Sequence, residues 1–161
     1  MSTTRDTLKF MARTKWLTAD EGRAWRNLSL MQLQLFALLG REMTGGLSYQ
    51  DYLVLADLSD RPDGQARLNE LGRRLGWEKS RISHHVTRME QRGLVERVKC
   101  PTDQRGWFVA ATDAGREAIR QAAPAHVRLV RRHFIDLLTP EQLATLDDIA
   151  RTVLDHLPQD P

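Results

Sequence analysis

The chain has 161 residues, enough for one well-buried core with helical additions but short for two independent ones. No stretch has the continuous apolar centre of a secretory signal, and the most apolar run, residues 28–39, is broken by Ser29, Gln32 and Gln34, short of a membrane span. The formal charge of +3 is unevenly spread: residues 61–105 carry eleven Lys or Arg against six acids, leaving the rest of the chain at −2. Such a basic segment suits a polyanionic partner, and an Arg-rich solvated surface explains it equally well. Cys100 is the only cysteine, which rules out an internal disulfide and leads to the expectation of a reducing, cytoplasmic setting without a membrane partner.

Residues 1–17 read as an arm in which Arg5, Lys9, Arg13 and Lys15 mix with Leu8, Phe10, Met11 and Trp16. Thr18-Ala19-Asp20-Glu21 is a capping box that opens a helix expected to reach about Met43 and to stop at Gly45-Gly46. Leu28, Leu30, Met31, Leu33, Leu35, Phe36, Leu38 and Leu39 wrap more than one face of it, so it needs cover on several sides. Ser48 caps a helix running to about residue 60, before the turn signal Arg61-Pro62-Asp63-Gly64. A two-turn helix over 68–75 with Gly76 as its stop precedes a helix over 78–92 closed by Gly93. Two β-like runs, 94–98 and 107–111, flank an eight-residue segment with Pro101 and Gly106, the pattern of a long hairpin tip.

A helix from Thr112 to about Leu138 follows, kinked or split by Pro124. The last helix opens at Thr139-Pro140-Glu141-Gln142, with Thr as cap, Pro in the first turn and Gln completing a second capping box. Leu143, Leu146, Ala150, Val153 and Leu157 recur along it at three- and four-residue steps, a coiled-coil-like seam that points to dimerisation. The fold class expected is mainly α with a small β-hairpin wing (α+β): a winged helix-turn-helix lobe over 48–111, with 18–46 and 113–161 as dimerisation helices.

At about 100° per residue, Ile82, Val86 and Met89 fall on one stripe of the helix over 78–92. Ser80, His84, Thr87 and Gln91 lie opposite, flanked by Arg81 and Arg88, the side-chain types that read base edges and phosphates. Ser80, Arg81 and His84 are nearest the helix start and best placed for bases; Thr87, Arg88 and Gln91 suit phosphates or flanking bases. On the hairpin, Arg105 can enter a minor groove and Asp103 can hold it, although a surface ion pair of little worth is the competing reading for Asp103.

These residues carry a family resemblance. The segments Leu68-Asn69-Glu70-Leu71, Lys79-Ser80-Arg81-Ile82-Ser83-His84-His85-Val86-Thr87-Arg88-Met89-Glu90 and Gly93-Leu94-Val95-Glu96-Arg97 resemble the MarR family of bacterial transcriptional regulators. So do Asp103-Gln104-Arg105-Gly106 and Thr112-Asp113-Ala114-Gly115 after them. The resemblance implies a homodimer joined by its first and last helices, binding a pseudo-palindromic duplex with α-helices in major grooves and wings in flanking minor grooves. It also implies a small aromatic or anionic effector that lowers operator affinity. His84 departs from the family, in which many relatives carry arginine at this groove-facing place.

Other candidates carry less. Adjacent His84 and His85 point about 100° apart, and His126 and His133 stand about 10 Å apart on one face, so neither pair suits one metal ion. The carboxylate, His and Cys clusters of metal-sensing relatives are missing, and redox-sensing relatives carry their cysteine near the chain start, where this sequence has none. Cys100 reads as structural, with a redox role as the alternative. Trp16, Trp25, Tyr49 and Tyr52 fall where the family binds effectors, and core packing explains them as well. No metal, no cofactor and no enzymatic activity is expected, since no glycine-rich loop, paired acid or nucleophile set is present. A winged-helix protein-interaction or architectural DNA-binding module without effector control is the alternative reading.

Overall fold

A computed structural model describes residues 14–43, 45–100 and 103–158, with the side chains of Cys100 and of residues 103–106 outside the description. The basic and apolar side chains of the N-terminal arm up to Arg13 therefore lie outside the described residues. The chain divides into two compact units, one ending at Ala37 and the other beginning at Leu38.

In the first unit, helix α1 (Ala19–Glu42) begins and runs on past the boundary. The expected capping box is formed: Thr18 N–H donates to Glu21 Oε2 at 2.7 Å, and Glu21 N–H to Thr18 Oγ1 at 3.2 Å. Trp25, Leu30, Leu33 and Phe36 are exposed along it.

The second unit takes α1 to its end and continues, after Gly45 and Gly46 at positive φ, into α2 (Tyr49–Ser59). Ser48 and Asp51 cap α2 reciprocally, at 3.1 and 2.9 Å. The turn at Arg61 is closed by Gly64 N–H donating to the Arg61 carbonyl at 3.1 Å. Strand β1 (Gln65–Arg67) follows, and no expectation from sequence covered it. Three residues are too few to show a strand's period of two. Helices α3 (Leu68–Leu75) and α4 (Lys79–Gln91) are joined through Gly76, which adopts φ +62°. That left-handed conformation costs glycine nothing and lets Trp77 N–H donate back to the Gly72 carbonyl at 2.8 Å.

Strands β2 (Val95–Cys100) and β3 (Asp103–Ala111) extend further than the sequence suggested. Cys100 pairs with Asp103 after a register shift, and most of the segment read as an eight-residue tip belongs to the two strands. The antiparallel sheet has the order β1-β3-β2, with Ala66 opposite Val109 and Val95 opposite Ala111. Helix α5 (Asp113–His133) then passes unbroken through Pro124, so the split left open by the sequence is not adopted. A 3-10 turn (Ile135–Leu137) leads to α6 (Pro140–His156), capped by Thr139 and Gln142 as expected.

The core of this unit sits where α2, α3, α4 and the sheet meet. Leu55, Leu58, Leu71, Ile82, Val86 and Met89 are fully buried there. Each contributes about 1.5–3 kcal/mol relative to remaining exposed. The joint between β3 and α5 is tight: Thr112 Oγ1 donates to the Gly93 carbonyl at 2.6 Å and accepts Gly115 N–H at 3.0 Å. A Cβ on Gly115 would stand 2.0 Å from the Leu94 carbonyl oxygen, far closer than van der Waals contact allows. The Thr-x-x-Gly pattern is thus a docking device that seats α5 on the turn after α4.

Candidate nucleic-acid interface

Helix α4 divides cleanly between core and solvent. Ile82, Val86 and Met89 are 0 % exposed, whereas Ser80, Arg81, His84, Arg88 and Gln91 face solvent. No hydrogen bond or ion pair joins the Ser80, His84 or Gln91 side chains to another described residue, so their donors and acceptors remain available. Thr87 is half-buried and engaged: its hydroxyl donates to the Ser83 carbonyl and accepts from Arg97 Nη2, both at 3.0 Å. Arg97 in turn approaches Glu90 at 3.4 Å, which ties β2 to the last turns of α4.

On the wing, Lys99 lies opposite Trp107 and its Nζ stands 5.8 Å from that ring. Arg67 of β1 lies 5.2 Å over the Phe108 ring. Asp103 and Arg105 belong to β3 by backbone, and their side chains are among those outside the description.

Sequence reasoning did not find the polar layer beneath α4. Asp51, 1 % exposed at the start of α2, receives Arg92 Nη1 at 2.7 Å and lies 3.1 Å from His85 Nε2. Burial alone would raise its carboxyl, but the adjacent His85 ring and hydrogen bonds from Arg92 and Ser48 hold it well below the usual carboxylate range. Arg92 also donates Nη2 to the Gly46 carbonyl at 2.6 Å, which fastens the C-terminal end of α4 to the segment before α2. A second buried carboxylate, Asp57, is met by Arg61 Nε at 2.9 Å and by Arg74 Nε. It borders a cavity of about 960 Å³ whose edges include Glu70, Leu154 and Leu157. With Arg61 and Arg74 already on Asp57, that cavity presents no unpaired buried charge.

Tyr49 and Tyr52 meet His126 of α5, with ring centroids at 6.0 and 4.2 Å. Burial raises both phenols, aided by Tyr52 beside Tyr49 and by Asp60 near Tyr52, and burial lowers the His126 imidazole. His126 Nδ1 is buried without a hydrogen-bond partner among the described residues. Their ring partner is thus a histidine 77 and 74 residues further along the chain. Among the described residues, no three His, Cys, Asp or Glu side chains are grouped to hold a metal ion. No helix among them is long and apolar enough to cross a membrane.

A short helix, a left-handed turn, a half-buried helix with a polar outer face and an antiparallel wing define the winged helix-turn-helix class. Known proteins narrow this. The MarR family model matches residues 45–106. The crystal structure of AbsC, a MarR family transcriptional regulator from Streptomyces coelicolor, is 41 % identical. That likeness covers 89 % of this chain and 97 % of AbsC, with a TM-score of 0.81. Sco3205, a MarR family transcriptional regulator of the same organism solved in complex with DNA, is 38 % identical over 90 % of this chain and 92 % of its own, with a TM-score of 0.83. An uncharacterized HTH-type transcriptional regulator, YdgJ of Bacillus subtilis (strain 168), is 25 % identical over 83 residues. Those residues are 52 % of this chain and 51 % of YdgJ, so the match spans about half the length of that relative. The chain belongs to the MarR family, a family of DNA-binding transcriptional regulators rather than enzymes.

Proposed function

We propose that this protein is an effector-responsive repressor that binds a pseudo-palindromic operator as a homodimer. The observation that carries the reading is the division of α4, with its apolar stripe wholly buried and a row of polar and cationic side chains left to solvent. Ser80, Arg81 and His84 read base edges from the N-terminal half of the helix, while Thr87, Arg88 and Gln91 lie toward phosphates or flanking bases. Arg105 enters the adjacent minor groove and Asp103 supports it. Support for a DNA partner comes from the complex formed by Sco3205.

The homodimer reading rests on apolar surface left uncovered in one protomer. Trp25 is 62 % exposed on α1, and Val153 is 53 % exposed on α6, where Ile149 and Leu154 are exposed as well, as is the C-cap Leu157. A soluble helix with such a face gains stability by burying it against a second copy. The lobe over 48–111 then serves DNA, and 18–46 with 113–161 serve pairing. For the effector, Tyr49, Tyr52 and His126 supply an aromatic cluster with one unpaired ring nitrogen, suited to a small aromatic or anionic molecule.

Footprinting on the region upstream of the coding gene, with affinity measured against salt, tests the core of this reading. A protected inverted repeat with a steep salt slope is expected. A shallow slope with no protected repeat would instead support a protein-interaction or architectural module.

A further inference from the structure

Arginines that read DNA must be aimed, and two rings hidden beneath α4 hold its two outer-face arginines. We propose that Trp77 and His85 form a positioning layer, Trp77 fixing Arg81 and His85 fixing Arg88, so that base preference depends on side chains that do not touch DNA. The inference rests on α4 being the groove-reading helix.

Trp77 occupies the turn between α3 and α4 and is 8 % exposed. Its backbone is clamped: the N–H donates to the Gly72 carbonyl, and its own carbonyl oxygen lies so near Gly72 that an added Cβ would stand 3.1 Å away. The indole therefore has a fixed seat. One helical turn further on, the Arg81 guanidinium lies 4.6 Å from the indole centroid, a cation–π distance. No ion pair with another described residue competes for Arg81. Another turn on, His85 meets the same indole edge-on, at 5.2 Å and 82°. Residues 77, 81 and 85 thus make a ladder along one side of α4.

The second half of the layer is polar. Arg88 Nη2 lies 3.1 Å from His85 Nδ1. A guanidinium has only donors, so Nδ1 accepts and the ring proton sits on Nε2. Nε2 lies 3.1 Å from Asp51 Oδ1, so the polar N–H edge of the ring rests beside the carboxylate though off the line of a good hydrogen bond. Asp51 is itself held by Arg92 and by the Ser48 cap, so His85 is braced from behind. Long arginine side chains otherwise sample many rotamers, and holding them before contact lowers the entropy lost on binding.

The test uses the full chain, a duplex it selects from a random pool, and a scrambled duplex of equal length. The readout is the affinity ratio between the two. Trp77→Leu keeps apolar bulk but removes the ring face, and should lower the ratio by about three- to tenfold. Trp77→Phe should restore most of it. In an Arg81→Gln background, Trp77→Leu should cost nothing more, with the folded fraction of each variant read from circular dichroism. His85→Gln keeps a donor toward Asp51 but lacks the nitrogen facing Arg88; its effect should likewise vanish in an Arg88→Gln background. A ratio unchanged by Trp77→Leu, or losses that simply add in the double variants, overturns the layer. If Arg81→Gln itself left the ratio unchanged, the reading of α4 would fall first and take the layer with it. If Arg81→Gln lowers the ratio and Trp77→Leu does not, only the layer falls.

Discussion

Helices α4 and α6 are similar in sequence logic and opposite in fate. Both are amphipathic and a few turns long, yet the apolar stripe of α4 is wholly buried within its own chain, while Ile149, Val153 and Leu154 of α6 and its C-cap Leu157 remain at the surface. The difference teaches that hydrophobic periodicity says a face must be covered without saying by what. For α4 the cover comes from α2, α3 and the sheet, and the polar side is left for a ligand. For α6 the apolar side itself is left, and a second copy is the proposed cover.

The largest expected effect breaks the covered side. Gly115→Ala should destabilise the fold by more than about 4 kcal/mol, because the new methyl group overlaps the Leu94 carbonyl in a joint with no slack. Urea unfolding checks it, and a midpoint close to wild type would contradict the packing described.

Asp51→Asn should cost about 3–5 kcal/mol, since Arg92 and His85 lose a buried carboxylate at the base of α4. The same residue gives a pH dependence. Its carboxyl is depressed in the folded state, so its stabilisation is full above the unfolded value of about 4 and is lost as pH falls below it. The acid limb of the unfolding midpoint should therefore flatten in Asp51→Asn.

Met89→Ala should cost about 2–5 kcal/mol as a buried truncation. Val153→Asp sharpens the contrast with α6. It should leave the protomer's secondary structure intact by circular dichroism but shift sedimentation from dimer to monomer. A dimer that survives Val153→Asp would mean that α6 is not where the copies meet.

The smallest effect concerns His126, which burial keeps neutral. Its folded-state value lies below the unfolded value of about 6.5, so stability should decline as pH falls below that point. His126→Phe should remove that part of the decline, measured as thermal midpoints between pH 7 and pH 5.

Much of the fold was legible because helix ends are written locally. Thr18 with Glu21, Ser48 before α2, and Thr139 with Gln142 each place a cap from chemistry three residues apart, and the helices begin where those caps say. The outer face of α4 was legible for the same reason, since a helix's period fixes which residues oppose Ile82, Val86 and Met89. Strand β1 was not, because its pairing with β3 spans some forty residues of chain and leaves no local mark. The wing was under-read where Pro101 and Gly106 suggested loop, although the ladder reaches Cys100 and Asp103. Asp51 with Arg92, 41 residues apart, was hidden likewise, since a buried ion pair looks in sequence like two ordinary surface charges. Trp77 could have been noticed, as an aromatic residue directly after a helix-stopping glycine and one turn ahead of Arg81.

The Thr112–Gly115 joint also limits how the protein can be recombined. Because Gly93 and Leu94 are bolted to the first turn of α5, a transplant of DNA specificity from a relative has to extend through residue 115. Cutting at the end of β3 would part the two halves of one mortise and leave the grafted helix without its seat.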